Sequence, residues 1–387
     1  MNEREDELIH HPEKAFDKNF ALAFLCNIGV IANFVFFLFF NRYLEGLGAS
    51  KAQIGLYMGV FALGSVVVRP AVGEAVDRYG RKRIIYYGLS LMILSTACYF
   101  FLHEINWVIL AVRILHGGGF GCYITGIFTV VADDAPPTRR AKVIGVFGLS
   151  GMGTFGIVPM LAEFIIERFG FQALFGAALW TLCVSLVIAL FLKARGPAEI
   201  EFAPLGFVKL LRRADLLIPV AALFTFCTGV GALVNFIAVY LGSRNVSIAY
   251  FFVANSIAGA VVRLGFGHLA DVYGRRRVVV PAFVAGSIGL LWLGMFHFPW
   301  ELLLCGLIWG SGIGFAVPAV AASIVDRVKP EDRGKGLALF TASFDFGVMT
   351  GSFAYGAVAE HLGYSSMYIA AAAVVLLAAA VGRLIKN

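Results

Sequence analysis

Charged residues are scarce in this chain. Asp, Glu, Lys and Arg make up 14% of its 387 residues, whereas hydrophobic residues make up 60%. That balance is too apolar for a soluble protein. Uncharged stretches such as 20–40 could each cross a bilayer as a helix, because about 20 residues at 1.5 Å each cover ~30 Å. Residues 1–19 mix acids and bases and do not resemble a signal peptide, so we expect 20–40 to be a retained span.

Several chemical signatures are also missing. The six cysteines lie in apolar runs without C-x-x-C spacing, which predicts packing residues and no disulfide framework. There is no Walker loop, no H-E-x-x-H and no nucleophile elbow. The glycines of 151–156 fit a dinucleotide fingerprint, but no strand precedes them. The tail pair His10 and His11 could bind a metal, although a solvated tail is the simpler interpretation. We therefore expect neither an enzyme nor a metal or cofactor site.

Twelve apolar segments are long enough to span a membrane. We expect them to be helices, because inside lipid every backbone amide needs an internal partner and the strand alternation of a barrel is missing. The predicted spans are 20–40, 51–72, 84–103, 107–131, 141–166, 171–192, 216–241, 247–267, 278–298, 301–325, 336–359 and 364–384.

The basic residues fall in alternate loops between these spans. With the N-terminus placed in the cytoplasm, 24 of the 31 Lys and Arg lie on the cytoplasmic side and four lie outside. The other three, Arg69, Arg113 and Arg263, lie within spans. This bias predicts that both termini are cytoplasmic. It also explains the net charge of +7 by membrane topology, so no nucleic-acid partner is expected.

Three sequence motifs each occur twice in the chain. Gly-x3-Asp-x2-Gly-Arg-basic-Arg occurs at 73–83 and again at 267–277, each time with an arginine four residues upstream. Gly-x3-Asn-Phe begins at 29 and 231, and Asp-x3-Pro-x2-Arg-x-Lys begins at 133 and 326. The repeats predict two six-span halves, 1–195 and 216–387, joined by a cytoplasmic linker at 196–215. The linker is either a short interfacial helix or a solvated basic segment.

These motifs resemble the major facilitator superfamily over essentially the whole chain. The resemblance implies an all-α integral membrane fold with 12 transmembrane helices in two pseudo-symmetric six-helix halves. It implies a monomeric secondary transporter of a small-molecule substrate, embedded in the lipid bilayer of the cell inner membrane. The halves would rock about a central site. Energy would come from an ion gradient, most simply protons, because no ATP-binding segment is present.

The repeated loop is the predicted gate. Gly73 and Gly80 would allow two backbones to approach closely and the chain to turn sharply. Arg81 and its basic neighbours would face the anionic inner leaflet. By the resemblance, Asp77 would interact across the halves near the start of span 11.

In the second copy, Asp271 with Arg275 would do the same near the start of span 5. The alternative is that both loops only fix topology.

Four polar residues within the spans are candidates for coupling or substrate binding. Arg113 and His116 lie one turn apart in span 4, and Arg113 matches the family's Arg-x3-Gly motif, which is tied to proton coupling. Either could instead be a structural hydrogen-bond partner. Asn33 and Asn235 occupy equivalent places in spans 1 and 7. They could bind substrate or join helices.

Asp345 is the deepest carboxylate, about nine residues or ~14 Å from the end of span 11. Burial disfavours its charged form, which suits a proton carrier. It could instead pair with a cationic substrate or a fixed arginine, or hydrogen-bond Ser343 or Thr341. Glu163 in span 5 lies nearer an end of its span. Glycine spacings at 306, 310 and 314 and at 347 and 351 predict close helix packing.

We predict proton-coupled export of a small organic or drug-like solute. Short length, a single deep acid and an aromatic interior with 36 Phe favour export. Span 5 keeps the glycines and Pro159 of the family's antiporter signature but lacks its Gly-Pro pair, which weakens the case for proton antiport. The alternative is proton-coupled or facilitated uptake of a nutrient such as a sugar or organic acid.

Overall fold

Twelve membrane-spanning helices build the part of the chain that the computed structural model describes, namely residues 16–136, 140–194, 196, 213–266, 269–328 and 333–385. The prediction of twelve spans is confirmed. A short helical turn, Leu269–Val272, lies between the eighth and ninth. We number the spanning helices α1 Lys18–Gly46, α2 Lys51–Tyr79, α3 Arg81–Phe101, α4 Trp107–Asp134, α5 and α6 (the two arms of Arg140–Leu190), α7 Ala214–Gly242, α8 Ala249–Gly265, α9 Arg275–Met295, α10 Glu301–Val325, and α11 and α12 (the two arms of Arg333–Gly382).

The two long double helices turn at matching glycines. Gly170 separates α5 from α6 with a φ of 78°, and Gly363 separates α11 from α12 with a φ of 80°. Both values lie in the region that glycine enters without the steric penalty of a Cβ. The same break in both halves supports the internal duplication that the sequence repeats predict.

The repeated segment between α2 and α3 is more helical than we predicted. Helix α2 continues through Gly73 to Tyr79, and the chain turns only at Gly80, with φ 88° and ψ 148°. Gly274 has the same two angles in the second half. Among the described residues there is no close approach at Gly73, because a Cβ there would meet none of their atoms within 4 Å. One exposed glycine costs a helix only about 1 kcal/mol, which does not stop its propagation.

The glycine spacings in α10 and α11 do mark close helix contacts, as predicted. A Cβ on Gly310 would collide with the backbone of Asn255 in α8, and one on Gly347 would lie 2.5 Å from the carbonyl oxygen of Phe224 in α7. Without a hydrophobic force between helices in lipid, such backbone-to-backbone packing is a main source of their association.

The halves meet mainly along two pairs of helices, and the end of α1 also contacts α7. Helix α2 packs against α11, and α5 packs against α8. Gly80 and Gly274 mark one end of the bundle, which we call the signature end. The other end, where Glu163 and Glu360 lie, we call the clamp end. Residues 197–212, the main part of the predicted linker, and the tail histidines lie outside the described residues.

Candidate functional site

An ion pair joins the two halves near the middle of the bundle. Asp345 on α11 accepts hydrogen bonds from Arg69 on α2, at 2.8 Å from Nε and 2.5 Å from Nη2. Ser65 Oγ donates to the same carboxylate at 2.9 Å. The two charged side chains are 11% and 15% exposed.

Of the alternatives for Asp345, the structure shows the fixed arginine. Ser343 and Thr341 instead donate to carbonyl oxygens of their own helix. Removing one partner of so buried a pair leaves an uncompensated charge, at a typical cost of about 3–5 kcal/mol. The pair therefore favours the arrangement of the halves in which it forms.

Arg113 is held inside the N-terminal half rather than reaching toward the membrane surface. It is 3% exposed and donates to the carbonyl oxygens of Tyr57 at 3.1 Å and Met58 at 3.3 Å. Its guanidinium lies over three phenylalanine rings, closest to Phe61 at 4.9 Å, and cation–π attraction stabilises a charge placed there. Nη1 of Arg113 is buried and has no hydrogen-bond partner.

His116 and Asn33 form a polar cluster within the N-terminal half. His116 Nε2 lies 2.9 Å from Asn33 Oδ1, and Asn33 donates to Thr96 at 3.3 Å and to the carbonyl oxygen of Ala178 at 3.2 Å. Both side chains are 0% exposed. These bonds join α1, α3, α4 and α6, so the structure favours a helix-joining role over a substrate contact for both residues.

Asn235 occupies a different environment from its twin Asn33. Its side-chain amide donates to Ser352 on α11, and its backbone carbonyl oxygen accepts from the side chain of Asn41 on α1 at 2.8 Å. It also lines a small cavity between the halves, together with Arg113, Met58, Val348 and other apolar side chains. The structure thus brings Arg113 and Asn235 together and keeps Asn33 apart from them.

Phenylalanines form a wall beside this cavity. Phe34 packs against Phe61, Phe120 and Phe155 with ring centroids 5.6, 5.3 and 6.1 Å apart. Phe155 continues the wall to Phe252 on α8, at 5.7 Å. We call these five residues the phenylalanine wall. An apolar wall with a few polar groups is typical of sites for small organic molecules.

At the signature end, the repeated arginines bind within their own halves. Arg81 Nε lies 3.0 Å from Asp133 Oδ2, and Arg275 Nε lies 3.2 Å from Asp326 Oδ2. The expectation that Arg81 faces the lipid headgroups is wrong, because the residue is 9% exposed and its charge is paired with Asp133. The side chains of Asp77 and Asp271 are outside the described part of the structure, so their contacts across the halves stay a prediction.

At the clamp end, two carboxylates bind helix N-termini of the opposite half. Glu163 on α5 accepts from the amide of Ile248 at 2.9 Å and from the hydroxyl of Ser247, just before α8. Glu360 on α11 accepts from the amide of Ala52, in the first turn of α2, at 3.2 Å. A helix N-terminus attracts anions through its free amides and its dipole. This role is not predicted from the sequence, where the one signal is an acid inside an apolar span.

Among the residues that the structure describes, seven hydrogen bonds link the halves at the level of Arg69 and Asp345 or on the clamp side of that pair. Lys51 adds a cation–π contact of 4.9 Å to Tyr364 at the same end. The described conformation is therefore closed at its clamp end.

Known proteins resemble this chain along most of its length. It is 25% identical over 341 residues to an uncharacterised MFS-type transporter of Methanocaldococcus jannaschii, covering 84% of this chain and 87% of that one. It is 23% identical to a "Multi-drug resistance efflux pump PmrA homolog" of Lactococcus lactis, covering 86% and 85%. The crystal structure of the nucleoside transporter NupG superposes with a TM-score of 0.78 at 14% identity, covering 95% of this chain and all of that one.

The family model described as "Major Facilitator Superfamily" matches residues 20–270 and again 232–386, which together span nearly the whole chain. The chain belongs to the major facilitator superfamily and is a multi-pass membrane transporter of a small-molecule substrate.

Proposed function

We propose that this transporter exports small organic compounds across the cell inner membrane, and that it couples export to protons through Asp345. The single observation that supports coupling most is the ion pair between Asp345 and Arg69, which crosses the two halves. We assign the signature end to the cytoplasm on the positive-inside bias. In this proposal the protein works as a monomer, because each chain contains both halves of the site.

The coupling step follows from electrostatics. While Asp345 is ionised, it attracts Arg69 across a region of low dielectric and holds α11 against α2. A proton on Asp345 removes that attraction and weakens the link between the halves. The halves can then separate at the clamp end, which exposes the cavity there.

Two further observations favour export of organic compounds. The phenylalanine wall offers apolar contact to an aromatic solute. The Lactococcus lactis relative is named for multidrug efflux. Arg113 and Asn235, which share the cavity, would supply the polar contacts to the solute.

The test is transport by purified protein in liposomes that contain a pH-sensitive dye. Salicylate, norfloxacin and ethidium serve as anionic, zwitterionic and cationic aromatic probes, each with the proton gradient in either direction. The wild type should move protons together with at least one probe. Asp345→Asn should retain exchange of that probe down its own gradient but lose the proton movement.

Glu104→Gln, at an exposed acid outside the site, is the matched control and should behave as the wild type. Full dependence on the proton gradient in Asp345→Asn would refute the coupling role.

A further inference from the structure

The membrane-embedded part of the protein has more fixed positive charges than negative ones. Arg69, Arg113 and Arg263 lie within spans, and Asp345 is the one deep carboxylate that faces any of them among the described side chains. Glu163 is engaged at the clamp end. Because Asp345 is bound to Arg69, no carboxylate among the described residues compensates the other two guanidinium groups.

Arg263 is the structural twin of Arg69, but it lacks the acid. The duplicated motif places Arg263 four residues before Gly267, as Arg69 is four residues before Gly73. In the repeat, Gly259 on α8 corresponds to Ser65, and Met152 on α5 corresponds to Asp345.

The contacts follow this correspondence. A Cβ on Gly259 would meet the Cε of Met152, just as Ser65 meets Asp345. Nη1 of Arg263 lies 2.8 Å from the place where a Cβ on Gly148 would be. The interface of α5 and α8 therefore repeats that of α2 and α11, with a methionine where the carboxylate would be.

The guanidinium of Arg263 has no anionic partner among the described residues. Its Nε is buried without a hydrogen-bond partner, and the described side chains give it no ion pair. An unpaired charge at such a place is costly, and intramembrane charged residues commonly mark a substrate or ion pathway. The phenylalanine wall lies further along the same interface, because Phe155 is one turn along α5 from Met152 and Phe252 lies 11 residues, or ~16 Å, before Arg263 on α8.

We infer that the transported compound carries an anionic group, such as a carboxylate or a sulfonate, that pairs with Arg263 between α5 and α8. Its apolar body lies along the phenylalanine wall. This inference rests on the proposed transport function and names the chemical class of its substrate. Asp345 stays free to exchange a proton, because the anion binds the unpaired arginine of the second interface rather than Arg69.

The test measures whether Arg263 is free and which ligands cover it. Purified protein in neutral phosphatidylcholine nanodiscs is treated with phenylglyoxal, which modifies accessible guanidinium groups, and peptides are quantified by mass spectrometry. Benzoate is the anionic probe, and benzamide is its neutral counterpart of the same shape. We expect Arg263 to react about tenfold faster than Arg69, a difference of ~1.4 kcal/mol. Benzoate should slow the reaction of Arg263 about threefold or more, and benzamide should not.

Two substitutions of Met152, the position that corresponds to Asp345, provide a matched pair of variants. Met152→Asp should give Arg263 its own carboxylate, lower its reaction rate to that of Arg69 and abolish protection by benzoate. Met152→Asn is neutral and has the same shape as the aspartate. In this variant Arg263 should still react fast, and benzoate should still protect it.

Three results would overturn the inference. Arg263 could react no faster than Arg69, or benzoate and benzamide could protect it equally. Phosphatidylglycerol in the nanodisc could protect Arg263 while benzoate does not, which would assign the residue to lipid headgroups. None of these measurements uses a proton gradient, so their failure leaves the test of Asp345 unaffected.

Discussion

At the scale of single residues, the buried charges separate structural from functional roles. Arg113 donates to carbonyl oxygens of α2 that already belong to a helix, and its Nη1 has no partner. A buried charge with incomplete hydrogen bonding is often less stable than an apolar side chain of similar size. We therefore propose that Arg113 contacts the transported compound, and that its charge adds little to the stability of the fold.

Replacing Arg113 with methionine should separate the two roles. Arg113→Met keeps most of the side-chain volume among Phe37, Phe40 and Phe61 and removes the buried charge. We expect unchanged or higher thermal stability, by about 1–2 kcal/mol, together with loss of transport. Melting in detergent and flux in liposomes check this. A large drop in melting temperature would instead give Arg113 a structural role.

The sequence alone identifies some of these residues but not their partners. Asp345 stands out because no other carboxylate lies as deep in a span, and Arg69 stands out because its place is duplicated. Their pairing joins positions 276 residues apart, and a single sequence holds no information on which distant side chains meet. For the same reason, the amides of Asn33 and Asn235 look equivalent in the sequence, although their neighbours in the fold differ.

At the scale of helices, the N-terminus of α8 depends on the other half of the protein. Its capping residue, Ile248, offers no side chain to accept a hydrogen bond. Glu163 of α5 accepts the amide of Ile248 instead, so closing the clamp end completes the helix. An N-cap is worth about 1 kcal/mol, and this one is present only when the halves are together.

Removing this carboxylate should loosen the clamp end. Leu38 lines the small cavity, and a cysteine placed there reports whether a membrane-impermeant maleimide added from outside can reach it. In Glu163→Ala we expect this cysteine to react several-fold faster, because a loss of about 1 kcal/mol corresponds to roughly fivefold. Glu167→Ala, one turn along α5 and exposed, is the control and should have no effect. Equal labelling in both variants would show that Glu163 does not hold the halves together.

The spans themselves are predictable because a bilayer imposes a length on every apolar helix. The error at 73–79 has a physical explanation as well. Glycine and charged residues signal a loop in a sequence, but beyond the hydrocarbon layer they are compatible with a helix that simply continues into water. Gly80, with its positive φ, is where the chain turns.

At the scale of the whole molecule, the duplicated halves are joined asymmetrically. One interface has the ion pair of Arg69 and Asp345, and the other has Arg263 beside Gly148 and Met152 against Gly259. We propose that a proton controls the first interface and that an anionic solute binds at the second. The clamp carboxylates Glu163 and Glu360 close one end in the described conformation.

The proposed transport cycle depends most on one event, in which protonation of Asp345 releases the two halves from each other at the clamp end. The most direct measurement is the distance between spin labels at His103 and Phe298, exposed positions at the clamp end of the two halves, by pulsed electron paramagnetic resonance. The distance should lengthen in the wild type when the buffer is changed from mildly alkaline to mildly acidic, because a proton on Asp345 removes its attraction to Arg69. In Asp345→Asn the distance should not depend on pH. A distance that does not change with pH in the wild type, or that lengthens in Asp345→Asn as it does in the wild type, would show that Asp345 does not control the clamp end.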